Sequence, residues 1–251
     1  MKTLSLFVRP KYTRSGVVLT GLAWLATTAA VVSGQEAVVL NVKRAVRLGF
    51  QSQPGESYQL YRSTNLTNWE TYGDIQVGTG QEIALDYVTE GDSMNLFRAA
   101  TLTNVIRDLP DFKGYQGWRL FTRHIGPNPL LGPGIHGGTN VFKFIYVYPT
   151  GARLYNGRIP IGTIVVKETH ENNNGQPGAI TGALTVMAKR GGTFDPEGNG
   201  WEFFMTDTNL TQTLLRGGSE TMCYACHSAA KDTDFMFSAA ELEACGASVK
   251  P

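Results

Sequence analysis

Met222-Cys223-Tyr224-Ala225-Cys226-His227 is the stretch whose reading decides what the rest of the chain can be. Two cysteines stand three apart, and a histidine follows at once. A Cys-x-x-Cys pair serves as a redox dithiol, as half of a zinc site or, with the trailing histidine, as an attachment point for haem. Each use asks for a different fold. A thioredoxin-type pair opens a helix after a strand in a βαβ unit, and the flanking sequence shows no such unit. Zinc needs two further Cys or His at finger-like spacing, and Cys245 is the single cysteine left. Haem asks that both thiols reach one edge of a flat macrocycle, each adding across one vinyl group, while histidine meets the iron from one face. Cys223 and Cys226 lie one helical turn apart, which suits that demand. The expectation is one covalent haem c per chain, with His227 as proximal ligand.

Composition limits the scaffold that carries this motif. In 251 residues there is room for one large domain or two small ones. With 29 glycines and few long apolar periodic runs, strands and loops are expected rather than a helical bundle. The formal net charge is +1, and without Lys2, Arg9, Lys11 and Arg14 it becomes −3. A mildly acidic body carries no electrostatic footprint for nucleic acid.

Those four basic residues open a segment that reads as an export signal over 1–34. The apolar run Val17 to Val32 follows them, and small residues close it at Val32-Ser33-Gly34. The run is short for a membrane span, which needs about 20 residues. The body is therefore expected in the periplasm or secreted, where haem c is attached.

Residues 37–101 read as a small β module. Gln53-Pro54-Gly55-Glu56 marks a turn, Ser57 to Arg62 a strand, and Asn65 to Trp69 a turn closed by an aromatic. Tyr58, Trp69 and Phe97 are its expected core. The pattern is similar to a β-sandwich module appended to many secreted bacterial proteins. The second domain is placed at 109–251. Phe112 to Phe121 carries aromatics at near-helical spacing. Val141 to Tyr148, VFKFIYVY, alternates as a strand. Further strands are expected within Arg158 to His170, at Ile180 to Lys189 and at Trp201 to Asp207, with a turn over Asn172 to Pro177. A helix over Leu210 to His227 would then carry the motif.

The order of these segments resembles the cytochrome P-460 family, which includes the β-sheet cytochromes c-prime. The resemblance rests on GYQGWRLF, VFKFIYVYP, IPIGTIVVKE, GNGWEFFMTD and CYACHSAAKDTDFMFS, and runs from about Leu109 to the C-terminus. It implies an α+β, mainly β fold: an antiparallel sheet with a few helices, often dimeric, holding a five-coordinate haem. It also implies a role for Lys167 of the VKE segment. That position matches the lysine bonded to a haem meso carbon in hydroxylamine-oxidising members. Relatives without the bond take up nitric oxide or other small gases. Lys143 stands where the family often has a distal arginine. Thr185 stands where those members have a carboxylate, and a hydroxyl is not acidic enough to act as a base near neutral pH.

From the residues themselves, Val165 and Lys167 share one strand face, while Val166 and Glu168 share the other. Met187, Met205, Met222 and Met236 read as core filler or as a sixth ligand. His124, His136 and His170 read as surface residues near loops, and Phe142, Phe144, Phe203 and Phe204 as a lid or as packing. The functional expectation is redox chemistry on hydroxylamine or nitric oxide, with electrons passed to another cytochrome. A gas binder without turnover and a simple electron carrier are the alternatives.

Overall fold

The structure is a computed structural model that describes residues 4–5, 45–88, 94–126, 138 and 140–246. Apart from 4–5, the export signal expected at 1–34 lies outside them, as do His136 and the side chain of Cys245. The fold is of the expected class, α+β and mainly β, with antiparallel pairing throughout the described sheets.

The first part holds β1 (Leu4–Ser5), β2 (Ala45–Gln51), β3 (Ser57–Ser63), β4 (Glu70–Val77), β5 (Glu82–Val88) and β6 (Leu96–Thr101). One sheet runs β1-β6-β3-β4, and β2 pairs with β5 as a separate ribbon. Leu48, Leu60 and Tyr87 are buried between them. Tyr72, Tyr87 and Phe97 meet edge-on, with ring centres 4.9–5.6 Å apart. Trp69 is not in this core. Its indole donates to the Leu66 carbonyl at 3.0 Å and so closes the turn, with the Arg98 guanidinium over its ring.

The second part is organised on a seven-stranded sheet. Its strands are β7 (Arg119–Ile125), β8 (Val141–Tyr148), β9 (Ile164–Asn173), β10 (Gln176–Ile180), β11 (Leu184–Lys189), β12 (Trp201–Thr206) and β13 (Thr213–Gly217). The order is β13-β12-β11-β9-β8-β7, with β10 hairpinned onto β9. β-Branched and aromatic residues dominate β8, β12 and the start of β9, as suits strands covered on both faces. Ile145, Val147, Val165, Met187, Trp201 and Phe203 pack on one face against Phe235, Met236, Ala239 and Leu242. Tyr146, Ile164, Val166, Leu184, Val186 and Phe204 pack on the other against Phe112 and Tyr115. Each such side chain contributes about 1.5–3 kcal/mol by leaving water.

Several elements differ from the expectations. The near-helical aromatics of Phe112 to Phe121 fall in α1 (Leu109–Phe112), a 3-10 turn at Tyr115–Gly117, and then β7. The turn expected over Asn172 to Pro177 narrows to Asn174-Gly175. Both have positive φ, 53° and 85°, as a two-residue hairpin loop requires. Residues on either side of it pair, Asn173 with Gln176. The helix expected from Leu210 is instead strand β13, which pairs with β12 at Phe204–Arg216 and Met205–Leu215. Only α2 (Met222–His227) is helical there, capped by Thr221, whose hydroxyl accepts from the Tyr224 amide at 3.3 Å. A 3-10 turn at Ser228–Thr233 and α3 (Ala239–Gly246) follow.

Candidate haem site

Strand register brings the site together. Lys167 on β9 lies opposite Ile145 on β8 and Thr185 on β11, so all three share a face. His124 on β7 lies opposite Lys143 on β8 in the next row. Directly opposed residues have Cβ atoms about 4.5–5.5 Å apart. α2 and the segment after its 3-10 turn cover this face and leave a cavity that is open on one side. Cys223, His227, Met236 and Phe237 line it from that cover; Lys143, Lys167, Thr185, Met187 and Phe203 line it from the sheet. Cys226 is half-buried on the same short helix, outside the lining.

His227 is oriented by a second contact. Its Nδ1 lies 2.7 Å from the Phe235 carbonyl oxygen. A carbonyl only accepts, so Nδ1 carries the proton and Nε2 the lone pair. Burial holds the imidazole well below the usual histidine range, at about 4, against the opposing pull of that hydrogen bond. A neutral ring with its other nitrogen tied to a carbonyl is the form in which histidine binds metal. Both thiols of α2 are free of any disulfide, and burial pushes the Cys223 thiol up.

The lysines differ from surface lysines. Burial and the neighbouring Lys143 bring the Lys167 amine down to about 7, while the two thiols oppose the shift. Lys143 is 2% exposed, and burial lowers its amine too. Lys167 faces the cavity with Val165, and Glu168 turns to the far face, as the strand alternation implies.

His124 is the residue that sequence reasoning missed. It lines the cavity from an edge strand, and its Nε2 is buried with no hydrogen-bond partner among the described residues. Burial, then Lys143, lowers its basicity, with Glu241 opposing. The available signal was its alternation with Thr122 on β7, obscured because the register slips between Leu120 and Thr122. His170 is on the far face, bonded to Glu168 and the Gly178 carbonyl. Of the phenylalanines considered as a lid, Phe203 faces the cavity, and the Phe204 ring packs on the far face against Phe112. Phe142 and Phe144 instead flank the Arg123 guanidinium. Met187 and Met236 line the cavity, and Met222 is exposed.

These residues fit a haem. Among the described residues, no three His, Cys, Asp or Glu side chains cluster as a protein-made metal cage requires. A metal held by His227 would therefore need its remaining ligands from a macrocycle. The cavity has the mainly apolar lining of a cofactor site, and the thiols stand beside it on the helix that carries the histidine. The site and sheet define the class as a β-sheet haem protein.

The chain belongs to the cytochrome P460 family, whose model matches residues 112–238, about half of its length. No curated protein and no solved structure matches the chain. Membership makes it a cytochrome with haem as cofactor and small nitrogen compounds as the general field of its chemistry.

Proposed function

We propose that this chain is an exported c-type cytochrome, periplasmic or secreted, that performs redox chemistry on hydroxylamine or nitric oxide at an open iron site. The observation that carries the reading is Lys167, held on the same cavity wall as Thr185 and facing the helix of Cys223 and His227. In this reading Cys223 and Cys226 anchor one porphyrin by thioether bonds, and His227 Nε2 binds the iron. Lys167 Nζ, lowered to about 7 and so about half in the free-amine form at pH 7, would lie at the porphyrin rim, where local concentration would favour a bond to it. Haem supplies a one-electron centre, and electrons leave singly to another cytochrome. Hydroxylamine releases a proton with each electron, and among the described residues no carboxylate lines the cavity to accept it. The neutral imidazole of His124 is the base this chain offers instead.

That missing carboxylate favours a second reading, a gas-binding cytochrome without turnover. Mass analysis of haem peptides separates the two. A digest of the native protein should hold the Lys167 peptide on the haem together with the Cys223–Cys226 peptide. Lys167→Ala should return the ferrous spectrum to that of an ordinary c-type haem and abolish hydroxylamine oxidation while both thioethers persist. A native Lys167 peptide that runs free of haem leaves the gas binder and the simple electron carrier.

A further inference from the structure

Asp234 and Phe235 are consecutive residues with left-handed backbone, φ 52° and 65°. Neither is glycine, and side chains seldom tolerate this region even once. Such a pair persists only where its surroundings hold it. Here the surroundings converge on one carboxylate. Lys189 Nζ reaches both Asp234 oxygens at 2.8 Å. Asn199 Nδ2 donates to it at 2.6 Å and the Ile159 amide at 2.7 Å. The indole of Trp201 donates to the Asp234 carbonyl at 2.8 Å. Asp234 is 2% exposed and Trp201 fully buried. The donors come from the β11–β12 hairpin (the end of β11, its loop and the start of β12) and from the loop after β8, so two separate segments fix one turn.

The next carbonyl along, that of Phe235, is the acceptor of the His227 Nδ1 proton. We propose that Asp234 is a positioning residue for the axial histidine: its bonds set the strained turn that aims the Phe235 carbonyl at the imidazole. The inference rests on His227 as iron ligand and on nothing about the substrate. A carbonyl on Nδ1–H stops rotation of the ring and raises electron density at Nε2. Stronger donation favours ferric over ferrous iron, so the turn sets the reduction potential as well as the geometry. A buried ion pair serving packing alone would have no such effect.

The test uses full-length, haem-loaded protein without substrate. Asp234→Asn leaves the Lys189 ammonium without its counter-charge and loosens the turn. The midpoint potential should rise, and the iron–histidine stretch of the ferrous protein should move to lower frequency. Asn199→Ala removes one donor and keeps the ion pair. It should shift both readouts the same way by less, and it carries the test if Asp234→Asn does not fold. Folded variants that lose thermal stability while both readouts stay at native values overturn the proposal. A native iron not bound by His227 overturns this proposal and the haem reading together. An iron bound by His227 but indifferent to Asp234 overturns this one alone.

Discussion

The two faces of the seven-stranded sheet bury ionisable groups in opposite ways. On the far face, Glu168 accepts from Tyr115 Oη at 2.6 Å and Tyr146 Oη at 2.8 Å and meets His170 Nε2 at 2.9 Å. Burial, reinforced by the carboxylate, pushes both phenols up, so they stay donors. The near face sets Lys143, Lys167 and His124 around a cavity, with burial lowering all three. One strand serves both faces, since Lys167 and Glu168 are neighbours in sequence. A closed network stabilises a fold. A cavity ringed by desolvated bases is arranged for something that is to bind there.

The largest effect expected of any variant lies on the near face. Cys223→Ala with Cys226→Ala should leave no haem that survives acid–acetone extraction. Covalent haem retained in that double variant would remove the basis of the contrast.

A change on the far face should do the reverse. Glu168→Ala leaves two buried hydroxyls and an imidazole without their acceptor, at a cost on the order of 3 kcal/mol. Urea unfolding should show the loss, while the haem spectrum of the folded variant stays native. A shifted spectrum would mean that the faces are coupled through β9.

The smallest effect is in pH. Unfolded histidine titrates near 6.5, and His227 sits at about 4 in the fold without haem. Above about 6.5 the ring is neutral in both states and stability does not depend on it. As pH falls from there towards 4, the unfolded chain takes up a proton that the folded chain refuses, so stability falls. His124, lowered from the same starting point, acts with the same sign. The urea midpoint of the haem-free chain should therefore drop between pH 7 and 5, and His227→Ala should flatten the drop. An unchanged midpoint would mean that His227 is not desolvated before haem arrives.

Local pattern in the sequence determined a good part of this molecule. The spacing of Cys223, Cys226 and His227 dictated one helical turn with all three groups on it. Alternation along Val165 to Glu168 assigned Lys167 and Glu168 to opposite faces before any partner strand was known, because side chains in a strand must alternate. The runs VFKFIYVY and GTIVVKE declared themselves as strands by their β-branched and aromatic content. Tertiary structure decided what depends on distant partners. Leu214 and Leu215 lie in a strand because β12 offers an edge to pair with; Gly217-Gly218 argues locally against a helix running on to His227, but only the partner strand makes the segment before it β. His124 reaches the cavity because β7 slips register against β8, a shift with no local signature. Asp234 could hold the turn beside His227 only once Lys189, Asn199, Ile159 and Trp201, from 33 to 75 residues away in the chain, closed around it. Periodicity reports the conformation of a segment, and a site of this kind is made by contacts whose partners the local chain does not contain.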